Sequence, residues 1–164
     1  MSISAQTLTP ELFAPFGQIM GARGSDPQRD EFAARLENGR GHARGNLTFI
    51  RTGSASGPTA VSVVERHPHS SQLFVPVNGT RFLVAICPSG ADGEPDLGRL
   101  AAFVASGRQS VNYNAGTWHA PLTVIEGAGE FIMLRFDDGG AEDTELRPLA
   151  EPISVDLSGL VISG

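Results

Sequence analysis

The chain has 164 residues, 40% of them hydrophobic and 18% charged, which bounds it to one domain (1–164) with an apolar core. All 12 basic residues are Arg, set against 18 acidic ones for a net charge of −6; a Schiff-base or P-loop lysine is excluded and no nucleic-acid surface is expected. Cys87 is the single cysteine and cannot close an internal disulfide, no apolar run reaches bilayer-spanning length, and residues 1–6 lack the basic and apolar regions of a signal peptide, so a soluble cytoplasmic protein with no membrane contact is expected.

In chain order, Thr9-Pro10-Glu11 joins a capping residue to a proline at the first helical position and predicts a short helix through Ala14. Gly21 to Arg29 reads as a polar loop and Phe32 to Leu36 as a helical turn. Short runs rich in Val, Ile, Phe and Thr then predict strands at Asn46 to Arg51, Thr59 to Val64, Leu73 to Val77 and Arg81 to Ile86. Asn78-Gly79 between the last two reads as a tight hairpin turn. Pro95 to Leu100 predicts a short helical connection. Further strands follow at Ala101 to Ala105, Leu122 to Ile125 and Glu130 to Phe136, with a reversal at Gly127-Ala128-Gly129. Asp137-Asp138-Gly139-Gly140 closes the strand region, and Ile153 to Leu157 adds an edge strand. Evenly spaced short strands of this kind favour an all-β barrel or sandwich with few short helices.

The histidines are His42, His67, His69 and His119. On a strand, His67 and His69 would point to one face, with Gln72 close behind. A barrel can bring His119, beyond the flexible Asn114-Ala115-Gly116, onto the same inner wall. Two readings stay open: turn histidines that satisfy neighbouring backbone, or a divalent metal site of His67, His69, Gln72 and His119 suited to Ni, Mn or Zn. No organic cofactor is called for. Glu65 shares a face with His67 and reads as a base or as a group orienting a ring. Arg66, its neighbour, faces the other way. Arg81 and Arg135 lie in apolar strands, where a guanidinium needs a partner; each reads first as a surface arginine paired with an acidic neighbour, and at least one could grip a substrate carboxylate. Tyr113 reads as a hydrogen-bond donor and Trp118 as a pocket wall, with an ordinary core aromatic the simpler reading for Trp118; Asn112 and Gln109 read as polar contacts to substrate or as groups that satisfy neighbouring backbone. Cys87 reads as structural, since nothing near it in sequence would activate a thiolate.

The stretch His67-x-His69-x-x-Gln72 with Gly79 resembles the first cupin motif, with Gln in place of its Glu. Gly107 to His119 resembles the second, with Asn114 where Pro is usual. Glu65-Arg66-His67-Pro68 with Gln72, Phe74 and Pro76, together with Pro95-Asp96-Leu97, Val111-Asn112-Tyr113 and Gly116-Thr117-Trp118-His119-Ala120-Pro121-Leu122, resembles the ureidoglycolate lyase (ureidoglycolate hydrolase) family. The resemblance runs from about Leu8 to Phe136; Ala120 departs from it, standing where a second histidine is common. It implies a double-stranded β-helix of the cupin superfamily, paired as a homodimer. It also implies a carbon–nitrogen lyase that splits (S)-ureidoglycolate into glyoxylate and urea in allantoin breakdown. For that reaction His119, His67, Tyr113 and Glu65 are the expected catalytic groups, and Arg81, Arg135, Gln72, Asn112 and Trp118 the expected substrate contacts. Ureidoglycolate amidohydrolysis with ammonia release, or a small-acid-binding cupin without turnover, are the alternatives.

Overall fold

Thirteen short strands and almost no helix make up the computed structural model, which describes residues 1–21, 29, 31, 35–54 and 57–160. The expected loop over 21–29 and most of the expected helical turn over 32–36 lie outside the described residues. The strands are β1 (Ser2–Ser4), β2 (Gln6–Thr7), β3 (Gly17–Met20), β4 (Arg44–Gly53), β5 (Ala60–Arg66), β6 (Gln72–Pro76), β7 (Phe82–Cys87), β8 (Ala101–Ala105), β9 (Ser110–Tyr113), β10 (Trp118–His119), β11 (Thr123–Val124), β12 (Ala128–Asp137) and β13 (Glu145–Asp156). The one α-helix among the described residues, α1 (Pro10–Phe13), forms where the sequence placed it: the Thr9 side chain caps Leu12 N, and Phe13 is buried. A 3₁₀ turn at Leu97–Arg99 occupies the expected helical connection.

The strands divide into two sheets. The larger runs β1-β13-β5-β10-β7-β8-β2, with β11 pairing β7; the smaller runs β3-β9-β6-β12-β4. From β4 to β7 the chain changes sheet at every step, and it does so again between β8 and β9, β9 and β10, β11 and β12, and β12 and β13. That alternation is the double-stranded β-helix of a cupin.

It also corrects the expected hairpin at Asn78-Gly79. β6 pairs with β9 and β12, whereas β7 pairs with β8, β10 and β11. The dipeptide therefore turns a corner between sheets. Gly79 takes the positive φ of +76°, while Asn78 does not and instead bonds Ala128 O (2.9 Å) and Glu130 N (3.1 Å). Gly107 packs against this corner so tightly that a Cβ there would lie 1.7 Å from Gly79 O. The strand region does not close at 137–140. A 3₁₀ turn at Ala141–Asp143 leads into β13, which pairs β5 over Glu145–Pro148 and Ile153–Ser154 with a register shift between Pro148 and Ile153. Pro148 and Pro152 disguised this strand in the sequence.

Strand alternation splits the apolar side chains between two cores. Phe74, Phe82, Val84, Ile86, Phe103, Val111, Phe131 and Met133 fill the space between the sheets. Leu83, Ala85, Cys87, Ala102, Trp118 and Val155 form a second core on the outer face of the large sheet. β7 is buried along its whole length because it is covered on both faces. Toward one end of the interior the apolar residues give way to polar ones: Gln72, His67 and His119 are all buried there.

Candidate active site

β10 is two residues long, and its alternation sends Trp118 to the outer core and His119 into the barrel. His119 sits directly opposite Glu65 on β5, so both side chains share the inner face. On the smaller sheet Tyr113, Gln72 and Arg135 form one cross-strand row, since Gln72 pairs with both of the others, and their side chains also share a face. The two sheets thus bring Glu65, His119, Gln72, Tyr113 and Arg135 together, and His67 joins them from the first position beyond β5.

His119 is fully engaged. Its Nδ1 is 2.8 Å from Thr117 O, and its Nε2 is 2.9 Å from Gln72 Oε1 and 3.5 Å from Glu65 Oε1. Both ring nitrogens thus have an oxygen within hydrogen-bonding reach. Tyr113 stacks on the ring at 4.1 Å with an interplanar angle of 10°. His67 is arranged differently. Its Nδ1 donates to Asp143 O at 2.8 Å, with Thr144 Oγ1 at 3.2 Å, which leaves the lone pair on Nε2. That Nε2 is buried and has no hydrogen-bond partner, 4.0 Å from Glu65 Oε1.

Electrostatics assign the protons. Burial raises the Glu65 carboxyl, but the hydrogen bond and charge of His119, together with His67 and Arg135, bring it below its ordinary value, so it is a carboxylate. Burial holds His67 below its ordinary value despite the Asp143 carbonyl, so its ring is neutral near pH 7. Burial first, and the Glu65 charge second, push the Tyr113 phenol far up and keep it a donor.

Several expected residues lie elsewhere. His69 contributes no atom to the cluster: β5 ends at Arg66, Pro68 and His69 form a turn, and the half-exposed His69 ring approaches Glu142 at 3.9 Å. The shared face expected for His67 and His69 required a strand that the proline interrupts. Gln72 is in the site as a partner of His119. Trp118 points away from this cluster into the outer core, where Arg66 and Arg147 lie over its ring at 4.5 and 5.4 Å, and it lines a separate surface cavity with Phe16, Pro88 and Arg99. Asn112 faces out of the small sheet, where its amide donates to Gln18 Oε1 and Arg35 O. Gln109 bonds Leu8 O. Arg81 pairs with Glu126, and its position precedes β7 by one residue while His119 pairs with Ile86, a separation of roughly 17 Å along the strand. Arg135 remains: its Nε donates to Asp137 at 2.9 Å and its Nη1 to Thr144 Oγ1 at 3.3 Å, beside the histidines. Thr144 and the Asp143 carbonyl were not legible, because the Gly-rich run before them reads as an ending rather than as a support for His67.

The residues present fit a divalent metal. Glu65, His67 and His119 each offer one donor atom, all within 4.8 Å of one another, and two imidazoles with a carboxylate suit a first-row divalent ion. The unpartnered His67 Nε2 is the observation that favours such a group.

A model of the ureidoglycolate lyase family matches residues 1–156. The chain is 36% identical over 160 residues to a protein of Agrobacterium fabrum named putative ureidoglycolate lyase, covering 97% of this chain and 98% of the relative. It is 34% identical over 141 residues to a ureidoglycolate lyase of Pseudomonas fluorescens strain Pf0-1, covering 81% and 83%. Among solved structures, RmlC from Streptococcus suis in complex with dTDP-D-xylose aligns with a TM-score of 0.42 at 15% identity, over 62% of this chain and 47% of that one.

Proposed function

The chain belongs to the ureidoglycolate lyase family, and from that premise we propose that it cleaves (S)-ureidoglycolate to glyoxylate and urea, as one catalytic domain over 1–164. The observation that carries this reading is the unpartnered, buried Nε2 of a neutral His67 beside the Glu65–His119 pair: a proton acceptor and a proton donor on one interior face.

Ureidoglycolate carries a hydroxyl, a carboxylate and a ureido nitrogen on one carbon. Cleavage removes the hydroxyl proton, forms the C=O of glyoxylate and sends the C–N bonding pair to nitrogen, which gains a proton and leaves as urea. Arg135 takes the carboxylate through the side of its guanidinium not held by Asp137 and Thr144. His67 Nε2 accepts the hydroxyl proton, and the Tyr113 hydroxyl donates to the oxygen as its charge develops. His119 delivers a proton to the departing nitrogen. Glu65, 4.0 Å from one ring and 3.5 Å from the other, returns the proton from His67 to His119 and closes the cycle. A divalent ion held by Glu65, His67 and His119 would, when bound, take up the His67 Nε2 lone pair and supply Lewis-acid lowering of the substrate hydroxyl pKa in place of that base.

The deciding experiment is a coupled assay for glyoxylate and urea, run on protein of measured metal content with and without chelator. Urea and glyoxylate in equal amounts are the expected result. Ammonia in place of urea would assign amidohydrolysis, and binding without turnover would assign a small-acid-binding cupin. Activity that falls on chelation and returns with Ni²⁺, Mn²⁺ or Zn²⁺ would assign the metal; full activity in metal-free protein would leave the proton transfers to the side chains alone.

We also propose a cytoplasmic homodimer. The unpaired, buried Cys87 suits a reducing compartment, and among the described residues no helix is long and apolar enough to cross a membrane. For the dimer the support is an exposed apolar face on the small sheet, where Phe49 pairs with Ile132 and Leu47 with Leu134.

A further inference from the structure

Arg40 touches none of the groups assigned to the reaction, yet it joins the two segments on which His67 depends. Its Nη1 lies 3.1 Å from Asp138 Oδ2 and its Nη2 bonds Asp143 Oδ1, in an ion-pair cluster whose Arg40 and Asp143 side chains are only 12% and 8% exposed. Asp143 in turn holds its own loop together: its carboxylate accepts from Gly139 N at 2.8 Å and Asp138 N at 3.2 Å. That loop ends in the Asp143 carbonyl that receives the His67 Nδ1 proton, and in Thr144.

The other end of the clamp is backbone. Gly39 N donates to His69 O at 2.7 Å, Asn38 bridges Ser70, and Arg40 N is fixed on Asn38 Oδ1 at 3.1 Å. The segment bearing Arg40 is therefore tied to the turn that carries His67, while its guanidinium is tied to the loop that supplies the acceptor for His67. Without the guanidinium, a buried carboxylate loses its counter-charge and the 138–143 loop must open to hydrate it.

We propose that Arg40 is a positioning residue for His67: by locking the 138–143 loop through Asp143, it holds the Asp143 carbonyl against Nδ1 and so keeps the Nε2 lone pair directed at the reaction centre. The activity arm of this inference rests on the lyase reading; the ring-tautomer arm does not.

The test compares wild type, Arg40→Met and Arg40→Lys. Long-range ¹H–¹⁵N spectra of the histidine rings report the tautomer, and steady-state kinetics report kcat and KM. Wild type should show His67 as the Nδ1–H tautomer alone. Arg40→Met should show mixed tautomers and a kcat lower by about 10- to 100-fold with KM little changed, the size found when a partner that orients a working ring is lost. Arg40→Lys, which keeps the charge and loses the fork, should restore part of both. Should Arg40→Met fail to fold, Arg40→Lys carries the same two readouts. The idea is overturned if the folded variants keep a single Nδ1–H tautomer, whether kcat holds or falls. If wild type does not turn over ureidoglycolate, the tautomer comparison still decides this point.

Discussion

His67 and His119 lie side by side on the inner wall of the larger sheet with ring centroids 5.7 Å apart, and one oxygen of Glu65 stands within 4.0 Å of either ring. Burial raises its pKa, and these rings together with Arg135 bring it below its ordinary value. A carboxylate so placed either carries a proton between the rings or shares an ion with them, and both roles need its charge.

Glu65→Gln keeps the shape and removes that charge. Turnover should fall by about 10²- to 10⁴-fold, the range lost with a working acid–base group, while circular dichroism and melting temperature stay close to wild type. Glutamine still bonds the His119 ring, so wild-type turnover in this variant would remove Glu65 from the chemistry.

The pH dependence follows from His67. Burial lowers its pKa below the ordinary 6.5, so the neutral base persists to lower pH than a free imidazole would. The acid limb of kcat/KM should therefore fall below pH 6.5, and replacing Thr144 or His67 should move or abolish it. The stability sign agrees. The folded pKa is depressed, so this contribution is complete above 6.5 and is lost as pH falls toward the folded value. A melting temperature that rises on acidification through this range would contradict the assignment.

How much of this was legible in the sequence varies residue by residue. Glu65, His67, Gln72, Tyr113 and His119 could be found because each lies on or just beyond a strand, where period-two alternation and cupin spacing state which residues share a face. Trp118 is the core aromatic that the same alternation requires, since applied to Trp118-His119 it sends the two to opposite sides. His69 failed because Pro68 converts a strand pattern into a turn. Arg81 follows the surface-pair reading, with Glu126 as its acidic neighbour; its substrate-contact reading failed because sequence gives the strand and not the height at which its neighbour joins: β10 meets β7 at Ile86 and Cys87, far from residue 81. The corner at Asn78-Gly79 failed for a related reason, since a tight turn and a change of sheet use the same residue types, and only long-range pairing distinguishes them.

Arg135 is the arginine beside the histidines, and it should bind the substrate carboxylate. Arg135→Ala should raise KM by about 10-fold or more, because a charge-assisted hydrogen bond contributes about 1.5–3 kcal/mol and this side chain is partly exposed. kcat should change less, since the proton-transfer groups remain. Arg135→Lys should recover only part of the affinity, because an ammonium lacks the fork. An unchanged KM in Arg135→Ala would move carboxylate binding elsewhere.

The outer face of the small sheet gives the last prediction. Leu47 is 69% exposed and Phe49 61%, while their cross-strand partners Leu134 and Ile132 continue the apolar surface across β12. Apolar pairs at adjacent positions of two strands are costly to leave in water, and the twisted sheet offers a face that a symmetry-related copy can cover. Phe49→Asp puts a charge at the centre of that face without touching the barrel interior, where Ile50 and Thr48 point. Sedimentation should report a dimer for wild type and a monomer for Phe49→Asp, with the isolated monomer still folded by circular dichroism. A variant that remains dimeric would mean that the pairing uses a different surface and that this patch has another occupant.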